Sequence, residues 1–182
     1  RAPAVAYRVA EIYYNHEQLE EARGRFLAIT EKFPGTEVAR YSANLIIESY
    51  LANNDWDKVR EWSQKLIDIN GDEAVLAKSE DKKAQEKLVD DLRRFKVGAV
   101  FKKAEQLNEA GDFENAAALY VQLVDEAPKH EFADKALFNA AIAYEKVKRF
   151  DAASNVYQRI VDSYPKSDLA NRSLFRVGVN FE

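Results

Sequence analysis

The sequence lacks cysteine and methionine, and glycine, proline and histidine number only 6, 4 and 2 among 182 residues. Without cysteine, disulfide bonds, thiolate metal sites and cysteine nucleophiles are excluded. The two histidines, His16 and His130, cannot form the i,i+4 pair of a helix-borne zinc site. Neither a glycine-rich phosphate loop nor a G-x-S-x-G nucleophile elbow occurs. We therefore expect no catalytic residues, no metal site, no cofactor and no small-molecule substrate.

Long apolar runs and charge of one sign are also missing. No stretch approaches the length of apolar residues that spans a bilayer, so we expect no membrane span in this segment. The chain has 27 basic and 31 acidic residues, and its most charged stretch, 79–96, interleaves both signs. A nucleic-acid partner is therefore not expected. Because the chain begins at Arg1 and contains no methionine, we expect either a processed product or a piece of a longer protein, and we favour the second. Any signal peptide, lipid anchor or further repeats would then lie outside this sequence.

An internal repeat organises what the sequence does contain. Four segments each follow a polar turn with a large apolar residue, at Leu19, Trp56, Phe113 and Phe150, which lie 37, 57 and 37 residues apart. Further columns keep this spacing: Ala22, Val59, Ala116 and Ala153; Phe26, Ser63, Tyr120 and Tyr157; Ile29, Leu66, Leu123 and Ile160; and Tyr13, Tyr50, Leu107 and Tyr144, continued by Phe181. Proline or glycine ends each unit, at Pro34, Gly71, Pro128 and Pro165.

The apolar residues follow a helical period, and no strand-like alternation occurs. This pattern predicts an all-α chain with helices over 4–15, 18–32, 37–52, 55–69, 80–109, 112–126, 131–147, 150–163 and 168–181. Thr36 and Ser167 are predicted N-cap residues, and Ser79 is predicted to cap the long helix.

These columns resemble the tetratricopeptide repeat family, which implies a right-handed superhelical solenoid of antiparallel helix pairs that binds other proteins. The family's usual unit has about 34 residues, whereas three intervals here are 37. The extra residues follow the proline, as in Pro128-Lys-His-Glu-Phe-Ala133. This longer link is similar to that of bacterial cell-envelope members, such as the outer-membrane assembly lipoprotein and the Tol–Pal coordinator. The resemblance implies a periplasmic or outer-membrane-associated protein, with a cytoplasmic location as the alternative.

The longest interval, 57 residues, predicts an insertion of about twenty residues between the second and third units. We divide the chain into two repeat units over 1–70, a junction over 71–96 that leads into a long helix, and 97–182, which holds two units and the first helix of a fifth. The long helix either packs on the second unit or forms a hinge or a surface for a partner helix. Proteolysis is expected first at 77–83.

In the family that this chain resembles, the first helix of each unit lines a concave groove. The partner-binding residues predicted on that basis are Tyr7, Tyr14, Tyr41, Asn44, Phe101, Phe138 and Phe175. Such an aromatic groove favours a protein or peptide partner with an apolar or extended segment. The alternative is that neighbouring helices bury these rings. A non-catalytic scaffold in a multiprotein complex is the predicted function, and a structural spacer without a ligand is its alternative. The sequence leaves the partner's identity and the oligomeric state open.

Overall fold

The computed structural model describes residues 2–180, which form helices joined by turns and links and contain no strand over that range. Ten helices occur within it: α1 Ala2–Asn15, α2 Leu19–Lys32, α3 Glu37–Leu51, α4 Trp56–Asn70, α5 Glu73–Lys78, α6 Lys82–Glu109, α7 Phe113–Glu126, α8 Ala133–Lys146, α9 Phe150–Ser163 and α10 Leu169–Asn180. Phe181, the last member of one predicted column, lies outside the described residues.

Consecutive helices pack against each other in chain order from α1 to α4 and again from α7 to α10. Because short turns join them, neighbouring helices run antiparallel. The predicted all-α array of helix pairs is confirmed. The right-handed winding of the superhelix stays a prediction.

The chain forms two compact units, unit 1 over Arg1–Ala99 and unit 2 over Val100–Glu182. The boundary falls inside α6. Three repeat columns form the cores of both units: every member of the columns that begin at Ala22, Phe26 and Ile29 is buried. Ser63 replaces the aromatic of its column in unit 1, and Tyr120 and Tyr157 fill that position in unit 2.

The junction differs from its prediction at two points. Residues 73–78, for which no helix was predicted, form α5, and the Asp72 carboxylate caps it by accepting a hydrogen bond from the Ala74 N–H at 2.9 Å. Asp81, rather than Ser79, caps α6, since its carboxylate accepts from the Ala84 N–H at 2.9 Å. Serine and aspartate are both good N-cap residues, so the sequence did not distinguish Ser79 from Asp81. The helix α6 begins two residues later than predicted.

The long helix α6 is continuous over 28 residues and passes through Gly98 without a break, as predicted. Leu88 and Leu92, from its first half, are buried in the core of unit 1. The first half of α6 therefore packs on the second repeat unit. A buried amide pair adds to this packing, because the Gln85 side-chain amide donates to both the backbone and the side-chain oxygens of Asn70, each at 3.1 Å.

The predicted N-caps after the prolines are present. Thr36 Oγ1 accepts from the Ala39 N–H at 3.3 Å, and Ser167 Oγ accepts from the Leu169 N–H at 3.1 Å. These bonds satisfy backbone N–H groups that the first turn of a helix leaves without a partner. They fix the start of α3 and of α10, whose first turn borders the groove described below.

A left-handed residue occupies the turn inside each helix pair. Glu17, Asn54, Gly111 and Lys148 have φ values of 58°, 52°, 83° and 59°. They follow the repeat interval of 37, 57 and 37 residues. Only one of the four is a glycine, the residue that adopts this conformation without strain, so composition did not reveal the column.

Candidate functional site

An open groove in unit 2 crosses the first helix of successive repeats. It has a volume of about 480 Å³ and lies on α6, α8 and the start of α10. Its lining consists of Phe101, Lys102, Glu105, Phe132, Lys135, Phe138, Asn139 and Leu169. We call this surface the unit-2 groove. Its lining residues lie on first helices of the repeats and on the links that lead into them.

Phenylalanine rings form the floor of the unit-2 groove. The Phe101 ring centroid lies 5.5 Å from that of Phe132 and 5.3 Å from that of the buried Tyr120. Phe138 packs edge-on against Tyr157 at 5.5 Å. Phe101 and Phe132 are half-buried, whereas Phe138 is only 7% exposed. The floor therefore combines two rings that present surface to a ligand with one that belongs mainly to the core.

Cationic side chains accompany each ring of the floor. Lys102 follows Phe101 in the chain and pairs with Glu105 at 2.7 Å. The Lys135 ammonium lies 6.0 Å from the centroid of the Phe132 ring. The Arg172 guanidinium lies over the Phe138 ring at 4.8 Å. Cation–π contacts of this kind fix the side chains beside the rings without removing their charge.

Asn139 is the uncharged polar group of the lining. Burial raises the pKa of the Tyr120 hydroxyl to about 12, and a hydrogen bond with the Asn139 side chain acts in the opposite direction. Asn139 is half-buried, so it connects the groove surface with the core beneath it. An amide in this place can exchange hydrogen bonds with the backbone of an extended ligand.

Tyrosines of unit 1 form a second aromatic surface. The Tyr7 ring lies 5.7 Å from Phe26 and 6.4 Å from Tyr41, and Tyr14 lies 6.1 Å from Phe26. Tyr41 is 50% exposed, and its hydroxyl donates to the Glu37 carboxylate at 2.9 Å. That hydrogen bond raises the pKa of Tyr41, whereas burial is the main cause of the raised pKa of Tyr7.

A smaller cleft of about 300 Å³ in unit 1 separates Tyr41 and Asn44 on α3 from the first turns of α6. We call it the unit-1 cleft. Its lining is mostly charged, with Glu37, Arg40, Asp81, Lys87 and Asp91 among its residues. Acids therefore outnumber bases in this cleft, and Tyr41 is its only ring.

A larger depression of about 610 Å³ lies between the two links that follow Pro128 and Pro165. Its polar groups bond to each other. The Tyr164 hydroxyl donates to the Pro128 carbonyl at 2.7 Å, and the Ser167 hydroxyl bonds the Asp134 carboxylate. These contacts join successive links and hold the repeat spacing, so we assign the depression a structural role.

The seven predicted site residues separate into four groups. Phe101 and Phe138 line the unit-2 groove, and Tyr41 and Asn44 line the unit-1 cleft. Tyr7 and Tyr14 are half-buried against Phe26. Phe175 is 71% exposed on α10 and is not part of the groove lining.

Sequence reasoning missed Phe132, Leu169 and the two groove lysines. Phe132 belongs to the link after Pro128, and its ring reaches the groove because the link ends beside the first turn of α8. The extra length of that link was the sequence feature that could have indicated a groove residue there. Among the described residues, no helix is long and apolar enough to cross a bilayer, and no cluster of three metal-ligating side chains forms.

Residues 107–172 match the family model of the tetratricopeptide repeat. The match begins near the end of α6 and extends into α10, so it covers most of unit 2. Residues 107–172 therefore carry the tetratricopeptide repeat pattern.

Three solved structures are similar to the chain. YrrB, described as a tetratricopeptide repeat protein with an unusual peptide-binding site, is 18% identical, with 92% of this chain and 89% of that chain covered and a TM-score of 0.38. A putative kinesin light chain from Podospora anserina is 16% identical, with 98% and 84% covered and a TM-score of 0.42. The TPR2AB domain of yeast Sti1 in a complex with pHSP90 is 19% identical, with 98% and 69% covered and a TM-score of 0.36. The chain has no match among curated proteins.

Proposed function

We propose that this chain is a non-catalytic scaffold whose unit-2 groove binds an extended segment of a partner protein. The observation that carries the proposal is the pair of half-buried rings, Phe101 and Phe132, on the floor of an open groove. Aromatic rings that a ligand can cover contribute much of the free energy at protein interfaces. The polar groups of the lining can orient a peptide backbone over those rings.

The alternative function, a structural spacer, predicts a groove that is polar and unremarkable in composition. The unit-1 cleft fits that description better than the unit-2 groove does, because charged residues dominate its lining. The two units therefore differ in the polarity of their grooves, which is the property that distinguishes a scaffold from a spacer. We assign the binding function to unit 2, and we assign unit 1 no ligand of its own.

A selection experiment tests the scaffold proposal. The folded chain, immobilised, is exposed to a random peptide display library, and a Phe101→Ala/Phe132→Ala variant is exposed to the same library. The scaffold proposal predicts peptides that are enriched on the chain and lost on the variant. A Tyr41→Ala/Asn44→Ala variant, altered in the unit-1 cleft, is the matched control and should retain them.

Because the Phe101 ring also contacts Tyr120, circular dichroism must show that the groove variant remains folded. If it unfolds, Phe132→Ala alone replaces it, since that ring lies at the start of α8 rather than within the core. Failure of the wild-type chain to enrich any peptide above an unrelated folded protein would favour the spacer.

We further propose that the scaffold belongs to a multiprotein complex of a bacterial cell envelope, in the periplasm or at the outer membrane. The extended links after Pro34, Pro128 and Pro165 support this proposal, because they give the repeat its longer interval. Fractionation of cells that express the whole protein from its own gene tests it. Recovery in the periplasmic or outer-membrane fraction supports the envelope, and recovery in the cytoplasm contradicts it.

A further inference from the structure

The helix α10 has a buried side and, adjoining it, an exposed apolar side. Ala170 is buried, and α10 packs against α9. Leu174, Phe175 and Val179 are nevertheless 56%, 71% and 47% exposed. Together with Gly178, one helical turn after Leu174, they form a patch that we call the α10 face. Large apolar side chains exposed side by side are typical of an interaction surface.

The α10 face repeats a surface of α8 that is covered. The matching positions, 37 residues earlier in the sequence, hold Leu137, Phe138, Ala141 and Ile142. Leu137 and Ala141 are completely buried, and Phe138 packs against Tyr157 of α9. The α10 face therefore consists of residues of the kind that this chain buries beneath the second helix of a pair.

Aromatic rings couple the two helices of a pair at the position of Phe175. Three pairs have a ring from each helix there, with centroids 5.3–5.7 Å apart: Tyr7 and Phe26, Phe101 and Tyr120, and Phe138 and Tyr157. In the remaining pair Asn44 replaces the first ring, and Ser63 occupies the position of the second. A ring on the first helix thus accompanies a ring on the second. Phe175 has the ring of a first helix, so a matching helix should supply another.

The second helices define what a matching helix carries. Each of the three that supply a ring has an alanine, an aromatic residue four positions later and an aliphatic residue three positions after that. These sets are Ala22, Phe26 and Ile29; Ala116, Tyr120 and Leu123; and Ala153, Tyr157 and Ile160, and all nine residues are buried. Anchors at i, i+4 and i+7 lie on one face of a helix, as in amphipathic helices that dock on apolar surfaces.

We infer that the α10 face docks an amphipathic helix of a partner protein with this pattern of small, aromatic and aliphatic anchors. The aromatic anchor packs edge-on against Phe175, as Tyr157 does against Phe138. The small anchor keeps the two helix axes close. Because Phe175 is not part of the unit-2 groove lining, this site is independent of the groove.

The chain's own helix α9 supplies the probe. One peptide has the sequence of residues 149–164, with a fluorophore and with blocked ends, and a second carries Tyr157→Ser, which reproduces the residue at position 63. Fluorescence anisotropy with the whole chain gives both dissociation constants. Circular dichroism reports whether the peptide becomes helical on binding, since a free peptide of this length is only marginally helical.

The inference predicts that the α9 peptide becomes helical on the chain and binds at least about tenfold more tightly than the Tyr157→Ser peptide. Phe175→Asp in the chain should weaken binding of the α9 peptide at least about tenfold. The matched control, Val5→Asp, places the same charge on a side chain of α1 that is 63% exposed and should bind as the wild type does. The groove variant Phe101→Ala/Phe132→Ala should also retain the helix.

Circular dichroism must show that Phe175→Asp remains folded, and if it unfolds, Phe175→Ala replaces it. Equal binding of the two peptides, binding that Phe175→Asp leaves unchanged, or no binding up to about 1 mM peptide would overturn the inference. Sedimentation velocity tests the other occupant: a dimer of the chain that Phe175→Asp abolishes would show that a second copy covers the α10 face. If only the groove variant loses the α9 peptide, the helix binds in the unit-2 groove, and this inference fails while the scaffold function stands.

Discussion

The Ser79 hydroxyl donates a hydrogen bond to the Gly35 carbonyl at 3.0 Å and so joins the inserted junction to the first inter-repeat link. The Glu80 N–H donates to the same carbonyl at 3.2 Å. The Glu80 carboxylate in turn accepts from the Glu37 N–H at 3.2 Å, at the start of α3. The junction is thus anchored to the first inter-repeat link at the point where the chain turns towards α6.

Gly35 is the residue on which this anchor depends most. Its φ is +79°, and a Cβ added to it would lie 3.1 Å from the Ser79 Cα. Gly35→Ala therefore combines left-handed backbone strain, about 1–2 kcal/mol, with a clash against the junction. Gly111→Ala is the matched control, because Gly111 has φ +83° and open space around its Cα. We expect Gly35→Ala to lower the urea midpoint further than Gly111→Ala, and to speed the first tryptic cleavages at 77–83. Equal effects would show that the junction is not held at Gly35.

The left-handed turn column predicts a stabilising substitution. Lys148 has φ 59° and an exposed side chain, so its conformation is strained without a compensating burial. Lys148→Gly should raise the free energy of unfolding by about 0.5–1 kcal/mol, since relief of strain exceeds the added entropy of the unfolded chain. Lys146→Gly, at the end of α8, is the control and should destabilise by a similar amount. A loss of stability in Lys148→Gly would contradict the assignment of strain to this turn.

Phe138 and Phe175 were predicted to share one role, and the structure separates them. Phe138 is 7% exposed and packs on Tyr157, whereas Phe175 is 71% exposed. Phe138→Ala should therefore lower the free energy of unfolding by about 3–5 kcal/mol, because it leaves a cavity. Phe175→Ala should change it by less than about 0.5 kcal/mol. Urea unfolding followed by circular dichroism measures both. Small effects from both variants would place Phe138 outside the core.

Burial of two tyrosines predicts a loss of stability at alkaline pH. The pKa of Tyr120 and of Tyr157 is raised to about 12 by desolvation. Between about pH 10 and pH 12 the unfolded chain loses these protons while the folded chain keeps them, so stability falls as pH rises, by up to about 1.4 kcal/mol per pH unit for each tyrosine. Below about pH 10 neither tyrosine makes the free energy of unfolding depend on pH. A Tyr120→Phe/Tyr157→Phe variant should show a shallower fall in urea midpoint over this range, and an unchanged fall would contradict the assignment.

The periodic part of the fold could be predicted from sequence because each column has one physical task. The columns that begin at Ala22, Phe26 and Ile29 are buried in every unit, so apolar residues recur in them, with Ser63 as the exception. Proline and the threonine or serine after it mark where one pair ends and the next begins. The helix α5 was missed because its six residues are too few to show a period, and its cap, Asp72, stands in a run of polar residues.

The candidate site was only partly predictable. Periodicity placed Phe101 and Phe138 on first helices, but it could not show which face of each ring a neighbouring helix covers. Phe132 and Leu169 enter the groove from the ends of inter-repeat links, where they share a column with Val38 that the prediction did not include. The cations beside the rings come from three helices, and only the packing of α6, α8 and α10 brings them to one surface.

Amide hydrogen exchange with a library-selected peptide is the most direct test of the claim that unit 2 binds a partner segment. With saturating peptide, the account predicts slower exchange at 101–105 in α6 and at 133–139 in α8, where the groove lies. Exchange at 7–14 in α1 and at 41–44 in α3 should stay as in the free chain. Protection confined to those unit-1 segments, or no protection at the groove, would contradict the account.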